Sequence, residues 1–314
     1  MSRFVLVVNP TRPRAVELAR EAAAWLAHRG HTVVLPKPDA EAVGLDRLGV
    51  DPAGLGAWSE SPLPAADRPI GGDATTQTGW PEAGLPTRAP GQDVDLAVAL
   101  GGDGTILRAV HLAVASGAAV LAVNLGRLAY LSAVEPDDLC PALEAVDEGR
   151  YGVEERMMLD VSWFDRRQAA VNEAVIEKSS PGHSVHVAVS IDGRFFTSHV
   201  ADAVIVATPT GSTAYSFSAG GPIVSPAHDA LILTPVAPHT PFTRSLVLHG
   251  GEPVRVEVLD ARGAVLSIDG QEVGRLSRGD SVTGAIAPTR ARFVTFGERD
   301  FYGVLKAKFG LSDR

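Results

Sequence analysis

The apolar positions along the chain follow two different rhythms, which predict two kinds of architecture. In the first half, short apolar runs alternate with segments whose apolar residues recur every three or four positions, as in amphipathic helices. We therefore expect strands at residues 4–8, 31–35, 94–100 and 118–124, with helices following the first and third. Almost wholly apolar strands are typical of sheets covered on both faces, so the pattern predicts an α/β domain built on a parallel sheet.

Beyond residue 150 the pattern changes to strands separated by tight-turn sequences. Asp192-Gly193 and Arg262-Gly263 each separate two runs of strand-forming residues, and such dipeptides are typical of two-residue hairpin turns. We therefore expect a hairpin at both places, with Asp269-Gly270 turning the chain again. The second half is expected to be β-rich and largely antiparallel.

These patterns also predict how the chain is divided into domains. We expect an α/β domain over residues 1–150 and a β-rich domain over residues 151–289. Helical spacing of apolar residues within 290–314 suggests that the chain then returns to the first domain. Residues 51–93 are rich in Pro, Gly, Ser and Asp and keep no period, so we expect a mobile insertion there.

Composition and charge narrow the class of protein. The chain has 45% hydrophobic and 21% charged residues, as expected of an ordinary globular protein. Its net charge of −9 argues against a nucleic-acid partner and leaves small anionic ligands as the better fit. Cys140 is the single cysteine, which excludes an intrachain disulfide, and no apolar run is long enough to span a membrane. We therefore expect a cytoplasmic location and no membrane partner.

The stretch from 94 to 105 passes from an apolar run into Gly101-Gly102-Asp103-Gly104-Thr105. Such a turn lies beyond the carboxyl end of a strand, where open α/β sheets bind ligands. The glycines let the backbone approach a ligand, and Thr105 can cap the next helix and leave amide groups for a phosphate. No Lys of a Walker A loop follows. Asp103 is therefore a candidate catalytic carboxylate, with an ordinary tight turn as the alternative.

Three further features suit a nucleotide. Residues 208–222 combine hydroxyl groups with glycines, and Tyr215 among them could stack on a planar ring. Asn172-Glu173 offers an amide and a carboxylate to a ribose diol or an adenine edge. Arg108, one turn into the helix after the glycine turn, could reach a phosphate. The alternatives are a solvated loop for residues 208–222, an ordinary strand start for Asn172-Glu173 and a surface arginine for Arg108.

Other chemistry has little support in the sequence. The nine histidines form no H-E-x-x-H pattern, and no G-x-S-x-G nucleophile elbow is present. We therefore expect no structural metal site made by the chain itself. Phosphoryl transfer needs chiefly positioning, metal charge and one acceptor for the proton of the attacking hydroxyl, so a single well-placed carboxylate can suffice.

Taken together and in order, these motifs resemble those of the NAD kinase family. G-G-D-G-T at 101–105 is similar to a turn that diacylglycerol kinases, sphingosine kinases and phosphofructokinases share, so it marks a superfamily only. V-N-E at 171–173 and T-P-T-G-S-T-A-Y-S-F-S-A-G-G-P at 208–222 distinguish NAD kinases within it. Asp269-Gly270-Gln271 and the closing F-x-x-x-L-x-x-K-x-G at 301–310 extend the resemblance over nearly the whole chain outside the insertion.

The resemblance implies a role for each matching residue. It implies that Asp103 is the general base. It implies that the nucleotide-binding residues are Gly104, Arg108, Asn172, Glu173, His183, Asp202, Thr213, Ala214, Tyr215, Ser216, Phe217, Ser218 and Gln271. The departures from the family pattern include Ala129, Ala203 and Ser245, where the family has two glycines and a proline. These departures put the shape of the pocket in question rather than the reaction.

The function implied by the resemblance is phosphorylation of the adenosine ribose 2′-hydroxyl of NAD, giving NADP. ATP or polyphosphate would be the donor, with Mg²⁺ or another divalent cation bound to it, and the protein would form a homodimer or homotetramer. Two alternatives stay open. A lipid or sugar kinase of the same superfamily is disfavoured by residues 208–222, and a non-catalytic NAD sensor would have no need of Asp103 as a base.

Overall fold

The computed structural model describes residues 2–44, 94–126, 131, 134–297 and 300–311. The predicted insertion at 51–93 and the departure at Ala129 lie outside these ranges. Among the described residues, the helices are α1 Pro13–His28, α2 Lys37–Val43, α3 Asp103–Ala113, α4 Leu139–Asp147, α5 Tyr215–Ser218 and α6 Phe301–Phe309. The strands are β1 Arg3–Val8, β2 Thr32–Val34, β3 Leu96–Gly101, β4 Ala119–Asn124, β5 Gly152–Trp163, β6 Arg166–Ala170, β7 Glu173–Lys178, β8 Val185–Ile191, β9 Arg194–Ala201, β10 Ala203–Ala207, β11 Ala230–Val236, β12 Leu246–His249, β13 Val254–Val258, β14 Ala264–Ile268, β15 Gln271–Leu276 and β16 Ser281–Thr295. None of these helices combines the length and the apolar character needed to cross a lipid bilayer.

The first half is a parallel sheet covered by helices on both faces, as expected. Its strands lie in the order β2-β1-β3-β4, and every neighbouring pair is parallel. Leu18 and Leu26 of α1 and Leu143 of α4 pack on one face, while Ile106 and Val110 of α3 pack on the other. Because both faces are covered, the strands are apolar throughout, which is why their positions could be predicted closely.

The second half is a sandwich of two largely antiparallel sheets, which confirms the predicted fold class. One sheet has the order β12-β11-β10-β7-β14-β15, and we call it sheet B. The other, sheet A, contains β16, β13, β8 and β9, with β5 attached to β16 and β6 to β5. Leu159, Val187, Val206, Leu231 and Leu266 meet between the two sheets as part of one buried core.

Sheet A is continuous through both halves of the molecule because β16 belongs to each. Near its end, Phe293 pairs in parallel with Val120 of β4, while Gly284 nearer its start pairs with Val254 of β13. The chain therefore returns to the α/β layer through this strand before α6 begins. The division at residues 150 and 289 stays a prediction.

Two local expectations need comment. The hairpin at Asp192-Gly193 is confirmed, since β8 and β9 pair across it and both residues have positive φ, 49° and 71°. The hairpin expected at Arg262-Gly263 is wrong. β13 pairs with β8 and β16 in sheet A, whereas β14 pairs with β7 and β15 in sheet B, so the segment between them crosses the sandwich.

Candidate active site

Asp103 lies in the first turn of α3, directly beyond the carboxyl end of β3. Gly102 is the N-cap residue, and no side chain caps the amide groups of this turn. The expectation that Thr105 caps the helix is wrong, because Thr105 is already its third residue and is buried. Its hydroxyl packs against Gly101, where an added β-carbon would lie 2.2 Å from Oγ1. The N–H of Thr105 already donates to the carbonyl oxygen of Gly102 at 2.9 Å, while the exposed Gly104 leaves this helix N-terminus open to a ligand, and a helix N-terminus favours an anionic one.

Arg108, one turn further along α3, points toward the end of β1. Its Nη2 donates to Oδ1 of the buried Asp39 at 2.8 Å, and Nη1 donates to the carbonyl oxygen of Val8 at 3.4 Å. The other carboxylate oxygen of Asp39 accepts the N–H of Val8 at 2.8 Å. Arg108 thus links α3 to α2 and β1, and its contact with a nucleotide stays a prediction.

Asn172 and Glu173 form a corner where β7 begins, and the buried carboxylate of Asp269 holds this corner. Its Oδ1 accepts the N–H groups of Asn172 and Glu173 at 2.7 and 3.2 Å, and its Oδ2 accepts the N–H of Val171 at 2.8 Å. Asp269 points back to the corner because it shares a tight turn with Gly270 between β14 and β15. Both residues have positive φ, 48° and 79°.

The loop of residues 208–222 is held on the protein by hydroxyl groups on its inner side. Thr208 Oγ1 donates to the carbonyl oxygen of Val171 at 2.6 Å, which joins the start of the loop to the corner. Ser216 is fully buried, and its Oγ lies 2.9 Å from Oγ1 of Thr234 in β11. Gly211 has no room for a side chain, since a β-carbon there would lie 2.1 Å from the carbonyl oxygen of Asn172.

The outer side of the same loop carries the remaining predicted residues. Tyr215, Phe217 and Ser218 are exposed, and Thr213 and Ala214 are half-buried. Burial of part of the phenol, followed by the nearby charge of Glu177, raises the pKa of Tyr215 above its ordinary value. The hydroxyls that fix the loop and the groups available to a ligand thus alternate along one short segment.

Glu173 has a carboxyl group whose pKa is strongly raised. Its residue is only 6% exposed, and burial is the main cause, followed by the negative charge of Asp269. The N–H of Tyr215 donates to Glu173 and offsets part of the effect, leaving a pKa of about 8. Within the described part of the chain, Glu173 Oε2 has no hydrogen-bond partner. A buried protonated carboxyl group with an available oxygen is suited to bonding a polar ligand.

Helix α6 brings the end of the chain to this region. The ring of Phe309 packs against that of Phe217 in the loop, with 5.3 Å between centroids. Burial lowers the pKa of the preceding Lys308, while the carboxylate of Asp103 acts in the opposite direction. The ammonium group of Lys308 therefore lies within electrostatic range of Asp103.

Three predicted residues lie further out. Asp202 precedes β10 and forms an ion pair with Lys178 at 2.9 Å, at the end of β7 remote from the corner. His183 is exposed beyond the same end, where its Nδ1 accepts a hydrogen bond of 2.9 Å from Arg262. Gln271 is exposed at the start of β15, two residues after Asp269. Their contacts with a nucleotide stay predictions.

Two departures from the family pattern are visible in the structure. Ser245 Oγ accepts a hydrogen bond of 3.0 Å from Thr234, which extends the hydroxyl chain below the loop. A proline could not take part in this bond, so here the loop has one more polar support. Ala203 is buried at the start of β10.

Sequence reasoning assigned no site role to His111, Asp269 or Lys308. Asp269 and Lys308 stand within motifs that the sequence displayed, but Asp269 was interpreted as turn chemistry and Lys308 only as part of a terminal pattern. His111 belongs to none of these motifs, because it lies eight residues after Asp103 in the helix. Its Nε2 lies 3.0 Å from Oδ2 of Asp269, and this contact crosses from the first half of the chain to the second.

A cavity of about 710 Å³ lies beside this region rather than within it. Residues 223–230 and β12 form one wall, and Phe301, Tyr302 and Leu305 of α6 form the other. None of the predicted site residues lines it. The candidate site is defined by its polar groups, because a nucleotide-binding surface can be open rather than enclosed.

Comparison with known proteins gives two family matches that together cover most of the chain. The model of the ATP-NAD kinase N-terminal domain matches residues 4–151, and that of the ATP-NAD kinase C-terminal domain matches residues 171–296. NAD kinase 1 of Streptomyces avermitilis is 36% identical, over 100% of this chain and 88% of its own. The NAD kinase of Desulforamulus reducens is 39% identical, over 98% of this chain and 97% of its own.

Two solved structures share the fold. The yeast NADH kinase complexed with NADH has a TM-score of 0.79 and 27% identity, covering 100% of this chain and 89% of that chain. An NAD kinase from Archaeoglobus fulgidus in complex with ATP has a TM-score of 0.67, covering 98% of this chain and 97% of that chain. Its identity is 22%, so it supports the fold alone.

Proposed function

The chain belongs to the NAD kinase family, and from this premise we propose which residues carry the phosphorylation of NAD. The acceptor in this proposal is the adenosine ribose 2′-hydroxyl, and the product is NADP. The oxygen of this 2′-hydroxyl bonds to the terminal phosphorus of the donor while the bond from that phosphorus to the bridging oxygen breaks. Asp103 accepts the hydroxyl proton as this happens, which is general-base catalysis.

The observation that carries this proposal is a contact that links the helix of the first motif to the corner of Asn172 and Glu173, from opposite halves of the chain. The helix that begins at Asp103 is bonded through His111 to Asp269, and Asp269 holds the corner of Asn172 and Glu173. A base must reach the hydroxyl it serves, directly or through one water. A nucleotide bound at the corner would be next to the helix that carries Asp103.

On the acceptor side, we assign the adenosine end of NAD to the corner and the loop. Asn172 offers an amide, and protonated Glu173 offers both a donor and an acceptor to a ribose hydroxyl or a ring nitrogen. Tyr215 offers a ring on the outer side of the loop, suited to stacking on a base. Residues 213–218 together form the surface that the dinucleotide would cover.

On the donor side, we assign the phosphates to the start of α3. The amide groups of its first turn have no side-chain cap, and the helix dipole favours a negative group there. Lys308 adds a positive charge near Asp103, which suits the charge carried by a transferred phosphoryl group. Gly104 is exposed, and a β-carbon there would meet nothing within 4 Å, so ligand atoms have room to approach its backbone.

A divalent cation fits this site as an ion that arrives with the donor. Within the described ranges, no three His, Cys, Asp or Glu side chains cluster so as to hold a metal by themselves. Mg²⁺ is commonly held by one or two carboxylates together with phosphate oxygens and water, and Asp103 is the carboxylate at the phosphate position. When bound, the cation neutralises charge on the phosphates.

The proposal extends to the donor, the assembly and the compartment. ATP or polyphosphate is the donor, the protein is a homodimer or homotetramer, and the reaction takes place in the cytoplasm. Exposed Phe195 and Phe196 on β9, the edge strand of sheet A, support self-association, because an exposed apolar edge favours pairing with another chain.

Incubation of the purified protein with NAD, Mg²⁺ and either ATP or polyphosphate tests this function. NADP, measured with an NADP-specific dehydrogenase, is expected with at least one donor and not when the donor is omitted. Formation of no NADP with either donor, from a protein that unfolds cooperatively, would contradict the proposed reaction.

A further inference from the structure

The contact between His111 and Asp269 joins α3 of the α/β layer to the turn between β14 and β15 of sheet B. His111 lies on α3 eight residues after Asp103, which corresponds to about 12 Å along the helix axis. Its Nε2 is 3.0 Å from Oδ2 of Asp269. At about 12 Å along the helix from the reacting atoms, His111 is too far to exchange protons with a substrate there.

Asp269 can hold a second residue in place, because its own carboxylate is fixed by several hydrogen bonds. It accepts three backbone N–H groups from residues 171–173, and its N–H donates to the carbonyl oxygen of Glu173 at 3.0 Å. Its side chain is 4% exposed. Whatever bonds to Oδ2 is therefore fixed relative to the corner of Asn172 and Glu173.

The contact is also placed where a small movement matters. An α-helix is stiff over two turns, so a shift of α3 at His111 moves Asp103 with it. A misplacement of about 1 Å in a reacting group can cost up to about 10²-fold in rate. The corner itself would persist without His111, since its three N–H bonds to Asp269 remain.

We propose that His111 is a positioning residue for phosphoryl transfer, which fixes the helix carrying Asp103 against the corner that holds the nucleotide. This inference rests on the proposed roles of Asp103 and of the corner. It predicts that loss of the His111 side chain lowers kcat more than it weakens nucleotide binding.

His111→Leu removes the bond, whereas His111→Gln keeps an amide N–H at a similar reach. For the leucine variant we expect kcat to fall about 10-fold to 100-fold. The dissociation constant of NAD, measured without donor, should change less than about threefold, because the corner is retained. The glutamine variant should keep kcat within about threefold of the wild-type value, since the bond is retained.

His31 provides a matched control in the same α/β layer. Its Nε2 lies 3.0 Å from Oδ1 of Asp147, and its side chain is as well covered as that of His111. His31→Leu loses a His–Asp contact away from the site that lacks the geometry of a hydrogen bond, so we expect a small loss of stability with kcat within about twofold of wild type. An equal loss of kcat in His31→Leu and His111→Leu would show general destabilisation and overturn the inference.

Three other outcomes would also overturn it. These are a His111→Leu variant with unchanged kcat, a loss confined to the dissociation constant of NAD, and a glutamine variant as slow as the leucine variant. If His111→Leu does not unfold cooperatively, His111→Asn takes its place. Its amide is one methylene shorter than that of Gln, so equal kcat in the Asn and Gln variants would then overturn the inference.

Asp103→Asn separates this inference from the function on which it rests. If that variant retains turnover, the assignment of the base fails whatever His111 does. If it is inactive while His111→Leu is fully active, only the positioning role of His111 fails.

Discussion

Glu173 shows how burial and one neighbouring charge set the chemistry of a single side chain. At pH 7 its carboxyl group is largely protonated, because its pKa of about 8 exceeds the ordinary value of 4.5. A neutral carboxyl group can bond a ribose hydroxyl or a ring nitrogen without adding a third negative charge near Asp103 and Asp269. The neutral state of Glu173 therefore suits an anionic substrate.

The raised pKa of Glu173 predicts how stability depends on pH. The native state binds the proton more tightly than the unfolded state, so the resulting stabilisation is fully present below pH 4.5 and is lost as the pH rises to about 8. Glu173→Gln removes this dependence. In urea unfolding between pH 5 and 8, the wild type should lose stability relative to the variant by up to about 1.4 kcal/mol per pH unit. Parallel pH profiles for the two proteins would contradict the raised pKa.

Tyr215 is expected to contribute to affinity through its ring. Tyr215→Ala should weaken NAD binding by about 1–2 kcal/mol, seen as a KM about 5-fold to 30-fold higher, with a smaller change in kcat. Tyr215→Phe keeps the ring and should retain a KM close to that of wild type. Steady-state kinetics on both variants check this, and an unchanged KM in Tyr215→Ala would remove the ring from the pocket.

At the scale of elements, the turn between β3 and α3 separates the needs of folding from those of function. A β-carbon at Gly101 would lie 2.2 Å from Thr105 Oγ1, whereas one at Gly104 would meet nothing within 4 Å. Gly101→Ala should therefore destabilise the protein by about 1–3 kcal/mol through overpacking. Gly104→Ala should leave the free energy of unfolding within about 0.5 kcal/mol but raise KM, because its methyl group faces the ligand. Urea unfolding checks the pair, and equal stability losses would contradict this view of the turn.

Much of the element structure could be predicted because local sequence determines it. The buried strands β1, β3 and β4 can be recognised as apolar runs. Asp192-Gly193 specifies its turn because both residues adopt positive φ. The glycine turn with Asp103 was recognisable because it stands between an apolar run and residues with helical spacing, although an Asp among glycines is also ordinary turn chemistry. These features depend on residues close together in the chain.

The remainder depends on partners that are distant in the chain. Arg262-Gly263 has the same appearance as a hairpin turn, yet it connects two sheets, since pairing is decided by β7 and β16. From the sequence, Asp269 is an ordinary turn residue. In the structure its carboxylate accepts the N–H groups of residues 171–173. The link from His111 to Asp269 spans 158 positions, and no local pattern could have indicated it.

At the scale of the whole molecule, one continuous sheet connects the α/β layer to the sandwich. β16 pairs with β4 of the α/β layer and with β13 of the sandwich. The glycine turn is therefore held by strand pairing, whereas the corner of Asn172 and Glu173 at the start of β7 is held by the packing of sheet B on sheet A. His111 then sets the remaining local alignment between them.

The exposed edge of sheet A predicts self-association. Phe195 is 69% exposed on the edge strand β9, and Phe196 beside it packs edge-to-face against Phe242 with centroids 5.4 Å apart. Light scattering should find a dimer or tetramer for the wild type and a smaller species for Phe195→Asp, since a charge would be buried in the contact. Phe164→Asp is the matched control, because Phe164 is 59% exposed in the turn between β5 and β6. A monomeric wild type, or equal effects of both substitutions, would contradict the edge as interface.

Asp103→Asn tests most directly whether Asp103 accepts the proton of the ribose hydroxyl. This substitution keeps the size of the side chain and removes the base, whose contribution is commonly about 10²–10⁴ in rate. With saturating NAD and donor, we expect kcat to fall at least about 10²-fold, while the affinity for NAD stays within a few-fold because Asn still forms hydrogen bonds. A folded variant that keeps more than about a tenth of the wild-type kcat would contradict this role of Asp103.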